Sequence, residues 1–237
     1  MDPKSSVVTP TRFAEGLTLD QYIEYIGSPE NLRRESGWLL GPRRVDFSAI
    51  LRDRYAHCRL RDGHVDAIRW LAAQPNGPAN VLMISEEWSS DCRRDVPIVG
   101  RLAEAGGLEL RIFTRDGQTV GRGSRADPAE SPNADIVNEF LNAKHGSTYQ
   151  SIPIVAFFTG SFEYLCHYTE FPAVYRKEAL LGGILAPKPG ETADEAFARG
   201  MRDWRALQDS PFFWLWGCAA IDEMLSALHA RIVLGSA

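Results

Sequence analysis

Val81-Leu82-Met83-Ile84-Ser85-Glu86-Glu87-Trp88-Ser89-Ser90-Asp91-Cys92-Arg93-Arg94-Asp95-Val96-Pro97 is the stretch that decides the fold. Its first four residues are an uninterrupted apolar run, the pattern of a strand buried on both faces. A helix is expected from about Ser90 to Ala105, stopped by Gly106-Gly107. Leu108 to Phe113 alternates apolar and polar residues and reads as a second strand. Arg115 to Asn133 is rich in Gly, Pro, Ser and Asp and reads as a long loop. Ala134 to Ala143 is expected to be helical. Ile154 to Phe158 is a third strand, and Thr159-Gly160-Ser161 turns it into a fourth, Phe162 to His167. One more helix is expected within Glu170 to Leu181. The order β-α-β-α-β-β-α predicts an α/β fold, with a central mixed sheet of about four strands flanked by helices.

Outside this region the pattern is helical. Thr18 caps a segment running through Tyr22-Ile23 to Ile26, which ends at Gly27 before Pro29. Asp46 to Arg59 places Phe47, Ile50, Leu51 and Tyr55 at helical spacing, and Asp62 to Ala73 does the same for Val65, Ile68 and Leu71. Gln74-Pro75-Asn76-Gly77-Pro78 marks one boundary and Ala186-Pro187-Lys188-Pro189-Gly190 another. Two further helices are expected, from Thr192 to Gln208 and from Ser210 to Val233. The chain therefore divides into a helical amino-terminal extension (1–78), an α/β domain (79–186) and a helical carboxy-terminal extension (187–237).

Composition narrows the function classes. The 237 residues are 44% hydrophobic, enough for one core or two small ones, and the net charge is -5. That balance does not suggest a nucleic-acid footprint. The doublets Arg33-Arg34, Arg43-Arg44 and Arg93-Arg94 read as solvated faces. Met1 to Ser6 leads into no long apolar run, and Phe212 to Ile221 is too short to span a bilayer. No membrane partner and a cytoplasmic location are the expectations. Cys58, Cys92, Cys166 and Cys218 are far apart, and no pair has Cys-x-x-Cys spacing. A reducing compartment keeps such cysteines as thiols.

Trp88-Ser89-Ser90-Asp91-Cys92, followed by Pro97, resembles the active site of the thioredoxin family. There the pattern is Trp-Cys-x-x-Cys with a proline five residues after the second cysteine. Cys92 and Pro97 keep that spacing, while Ser89 stands where the first cysteine belongs. Ser151-Ile152-Pro153, just before a strand, lies where the family carries a cis-proline opposite the motif. Gly16-Leu17-Thr18, Tyr22-Ile23, Trp88 with Asp91, and Arg115-Asp116 resemble a narrower, bacterial-type group with a helical lead-in. The likeness runs roughly from Phe13 to Leu181; the tail from Ala186 adds nothing to it. It implies a thioredoxin-like fold, thiol–disulfide exchange, no cofactor, and a groove formed by Trp88, Asp91, Ile152 and Pro153.

The chemistry departs from that pattern. A thioredoxin attacks through a thiolate at a helix N-terminus, where the dipole lowers its pKa, and a second cysteine resolves the mixed disulfide. Ser89 cannot take the first role, because a hydroxyl is a poor nucleophile without an adjacent base; it suits a helix N-cap. Cys92 is left as the single motif thiol, with Asp91 acting to raise its pKa and the helix terminus to lower it. Met83 stands where many thioredoxins bury an acid. Two readings stay open. One is a thiol-redox protein working through Cys92 on protein or small-molecule thiols and disulfides, with weak or absent dithiol turnover. The other is a redox-inactive binding or scaffold protein. The survival of Trp88, Cys92 and Pro153 leans toward the first; a buried, inert Cys92 would favour the second. His57-Cys58 with His64 is too loosely spaced for a metal site. Phe212-Phe213-Trp214-Leu215-Trp216 reads as a docked terminal helix, with a homodimer or partner surface as the alternative.

Overall fold

The computed structural model describes residues 6–37 and 43–235, so most of the amino-terminal stretch read for a leader lies outside the described residues. Four strands form the central sheet: β1 (Asn80–Ile84), β2 (Glu109–Phe113), β5 (Ile154–Phe158) and β6 (Tyr164–Thr169), in the order β2-β1-β5-β6. β1 runs parallel to β2 and antiparallel to β5, and β5 and β6 form an antiparallel hairpin. The sheet is therefore mixed and flanked by helices. Every residue of β1 and β5 is buried, which explains their unbroken apolar runs.

Alternation along the strands divides the core in two. Val81, Met83, Val155 and Phe157 face one cluster; Leu82, Ile84, Ile154, Ala156 and Phe158 face the other. The first is covered by α2 (Leu19–Ile26), α5 (Asp62–Ala72), α6 (Ser90–Gly106) and α10 (Pro211–Leu234). It takes Tyr22 and Ile26 from the first sequence segment, Val96 and Leu102 from the second, and Ile221 and Leu228 from the third. The helices before and after the sheet thus complete its core. The second cluster is covered by α1 (Pro10–Ala14) and α7 (Ala134–Glu139).

The Gly16-Leu17-Thr18 segment has a structural use. Leu17 exchanges backbone hydrogen bonds of 2.9 and 2.7 Å with Ile112 on the outer strand β2. A Cβ on Gly16 would lie 2.6 Å from the Phe113 ring, so only glycine passes there. Thr18 then caps α2 in a capping box with Gln21.

Three expectations need correction. The helix expected to reach Ala143 stops at Glu139, and a small hairpin of β3 (Asn142–Lys144) and β4 (Ser147–Tyr149) follows. β6 starts at Tyr164 rather than Phe162, because Phe162 takes a positive φ of 64° in the turn. In α4 (Ser48–His57) Leu51 is buried, but Ile50 is 42% exposed.

Candidate functional site

β1 hands the chain to α6 through Ser85–Trp88. The Ser89 N–H donates to the Glu86 carbonyl at 3.1 Å, and Ser89 Oγ accepts from the Cys92 N–H at 3.5 Å. Ser89 is thus the N-cap of α6. One turn in, Cys92 is only 1% exposed. Burial pushes its thiol up to about 12, against the opposing pull of the Glu86 backbone and the Ser85 and Ser89 hydroxyls. The contest left open in the sequence, Asp91 against the helix terminus, is outweighed by desolvation. All four cysteines are free thiols. Cys92 packs in the second core cluster, whereas Cys218 is in the first and Cys166 packs against it.

Trp88 is fixed on three sides. Its indole N–H donates to Asp116 Oδ2 at 2.9 Å, and the Arg115 guanidinium lies 5.1 Å from the ring centroid. A Cβ on Gly37 would meet the ring at 2.3 Å, so only glycine lets the chain cross there. The Ile152–Pro153 bond is cis. Ile154 pairs with Ile84, so Pro153 stands at the end of β1 where the motif loop leaves. Ile152 shares a cluster with Cys92, and Trp88 packs against it. Asp91 is not part of this group. It is fully buried and is held by Arg94 at 2.9 Å and by Lys177.

The arginine doublets are not solvated faces. Arg33 and Arg43 are exposed, but Arg34, Arg44, Arg93 and Arg94 are buried. Arg34 reaches Glu86 at 2.9 Å, and Arg44 bridges Glu86, Glu87 (2.8 Å) and Asp116 (3.4 Å). Arg115 adds a 2.8 Å contact to Asp116. Charges from three distant segments thereby lock the amino-terminal region onto the motif loop. Arg94 donates to both oxygens of Asp95, at 2.7 and 2.8 Å. Burial still lifts the Asp95 carboxyl to about 6, although Arg94 opposes it.

Glu87 is pushed up to about 7 by burial and by Glu86, with Arg44 pulling the other way. Its folded pKa therefore exceeds the unfolded value of about 4.3. Its contribution to stability is present below that value and is lost as pH rises through about 7. Glu87→Gln removes this proton. The variant's stability relative to wild type should rise between pH 5 and about pH 7 and level off toward pH 8 in urea unfolding. Asp95 has the same sign but is present in both proteins and cancels. A pH-independent difference would show that Glu87 is ionised throughout.

A cavity of about 610 Å³ opens beside the motif. Trp88, Ser90 and Arg93 form one wall, Phe47 another, and Met201 and Trp204 of α9 (Ala193–Gln208) a third. Pro97 shapes this wall from a distance. A proline inside a helix cannot donate to the carbonyl four residues back. That carbonyl belongs to Arg93, and Arg54 donates to it at 3.3 Å. Arg93 itself donates to the Glu87 carbonyl at 2.6 Å and to Gln208 Oε1 at 2.7 Å. Its guanidinium lies 4.2 Å from the Phe47 ring centroid. Burial and the nearby Arg54 lower it to about 10. Sequence reasoning placed α9 as a helix but missed that it and Arg93 line a cavity beside the motif. The traces were a doublet directly after the motif and an apolar pair, Met201 and Trp204, at helical spacing.

Among the described residues, no cluster of three or more His, Cys, Asp or Glu could hold a metal ion. His64 instead pairs with Asp222 at 2.8 Å. No described helix is long and apolar enough to cross a membrane. The start of α10 leaves Phe212, Trp214 and Leu215 exposed and buries Phe213.

No family model and no curated protein match this sequence. Among solved structures, the crystal structure of a protein of unknown function from Pseudomonas aeruginosa is similar over 95% of this chain and 99% of that one. The TM-score is 0.51 at 12% identity, a likeness of fold alone. A crystal structure of an HIV epitope-scaffold covers 98% of this chain and 100% of its own, with a TM-score of 0.47 and 16% identity.

Proposed function

We propose that this chain is a redox-inactive binding protein on a thioredoxin-like scaffold. The carrying observation is Cys92: a single motif thiol, 1% exposed, raised to about 12, with Ser89 in the place of the attacking cysteine. Thiolate is the nucleophilic form, and a thiol with such a pKa supplies almost none at neutral pH. Release of a mixed disulfide needs a second thiol at bonding distance, and every cysteine of the chain is unpaired. The scaffold reading draws support from the sheet order β2-β1-β5-β6, the cis Pro153 and the Trp88–Cys92 spacing. The free thiols fit a reducing compartment such as the cytoplasm. The competing reading, thiol–disulfide exchange through Cys92, requires the motif loop to open.

Iodoacetamide labelling of the folded protein across pH, with sites located by mass spectrometry, separates the two. Cys58, partly exposed, should react in the native state, whereas Cys166, whose thiol burial also pushes up to about 12, should react only slowly. Cys92 should stay unmodified until urea unfolds the chain. Insulin reduction should be negligible and equal in wild type and Cys92→Ser. Native-state labelling of Cys92 at neutral pH, or reduction lost in Cys92→Ser, would reverse the assignment in favour of the redox reading.

A further inference from the structure

We infer that the cavity beside Trp88 binds a small organic monoanion, a carboxylate carried on a flat apolar body. The inference rests on the binding-protein reading and gives that site a ligand class. A volume of about 610 Å³ falls within the roughly 300–1,000 Å³ of small-molecule sites.

The charge comes from an accounting of the lining. Arg54, Arg93, Lys177 and Arg205 face the cavity, with Asp209 as the one carboxylate. Lys177 is committed to the buried Asp91. Arg54 lies 3.6 Å from Asp209. Arg205 is exposed, so solvent screens it. Arg93 is different. It is 4% exposed, and both its hydrogen bonds end on neutral acceptors, so it has no carboxylate partner among the described residues. A buried cation without a counter-charge is costly, and a bound anion removes that cost.

The backbone points the same way. The first N–H groups of a helix have no partner inside it. In α6, Ser89 Oγ takes the Cys92 N–H and the Ser89 carbonyl takes that of Arg93. Ser90, the first residue of α6, lines the cavity. One buried guanidinium and one helix terminus match a single negative charge with a planar, two-oxygen head. A dianionic phosphate would bring a second charge with no buried cation to meet it. Apart from Ser89 and Gln208, the rest of the lining carries no polar side chain, and Phe47, Ile50, Trp88, Leu181, Met201 and Trp204 make up most of it. Trp204 and Met201 are buried beside an open cavity, a surface suited to a ring system.

The test is isothermal titration of the whole chain with 2-naphthoate, 2-naphthalenemethanol and 2-naphthylmethylammonium. The three share a ring and differ in charge. The acid should bind once per chain, about tenfold or more tighter than the alcohol, and the ammonium should bind weakest. Arg93→Met should abolish the acid's advantage and leave the alcohol unchanged. Because that substitution touches a buried residue, Leu181→Trp, on the partly exposed wall, serves as a second variant and should exclude both ligands. Equal binding of acid and alcohol, binding that survives both substitutions, or no binding of any probe at millimolar concentration overturns the inference. The binding-protein reading is judged separately by Cys92 labelling and insulin reduction, neither of which depends on naphthoate.

Discussion

Arg44→Met will destabilise the protein by about 3–5 kcal/mol, the range found when one partner of a buried ion pair is removed. Arg44 has no exposed side-chain surface and is bonded to Glu86, Glu87 and Asp116 together. Methionine fills similar volume but supplies no donor, so those carboxylates keep their desolvation and lose a shared cation. Arg34 and Arg115 remain, but they reach only Glu86 and Asp116 and leave Glu87 with no cation. The loss should shrink in acid, where protonation relieves the stranded Glu87. Arg44→Lys should fall between the two, because an ammonium cannot span three acceptors with a planar fork. Urea unfolding at pH 5 and pH 8 reads all three proteins. A deficit under 1 kcal/mol for Arg44→Met would mean that the network gives little to stability.

Ser89→Cys is expected to create disulfide-reductase activity where wild type has essentially none. The introduced thiol would sit at the N-cap of a seventeen-residue helix, on a cavity that the Arg93 guanidinium also lines. Both features favour thiolate, and caps of this kind lower cysteine pKa from about 8.5 toward 7 or below. Ser89 Oγ already contacts the Cys92 backbone N–H, which places the two positions one helical turn apart, within disulfide reach. The raised pKa of Cys92 is no obstacle to a resolving role, since deprotonation is needed only after the mixed disulfide forms. Insulin turbidity, compared with the double substitution Ser89→Cys/Cys92→Ser, measures the gain. A folded variant inert toward several disulfides would show that the α8 (Lys177–Leu185) and α9 side of the cavity keeps substrates away from the motif.

What could be read from the residues follows from how far apart the causes lie. β1 and β5 are short, wholly buried apolar runs that begin just after a proline, so composition over a few residues located them. The cap at Ser89 was legible because its acceptor and donor are three residues apart. The hairpin of β3 and β4 was not: six polar-leaning residues around His145-Gly146 leave little strand pattern. The arginine doublets misled because charge usually faces water, while the partners that bury Arg44 lie 42, 43 and 72 residues away. The cavity was invisible for the same reason. Its walls come from the motif, from Phe47 and from α9, and the last carries none of the marks that suggested the family.

α10 sets an order on how the molecule can be made. It seals β6 and α6 with Ile221, Met224 and Leu228, and its Trp216 stacks on Tyr175 at 3.9 Å. Every strand of the sheet is therefore synthesised before the helix that shields one of its faces. At about 5–20 residues per second, the nascent chain carries an uncovered apolar sheet for seconds while the last two helices emerge. Until α10 arrives, Val155, Phe157 and Tyr168 belong to a half-built core, the kind of surface that chaperones hold.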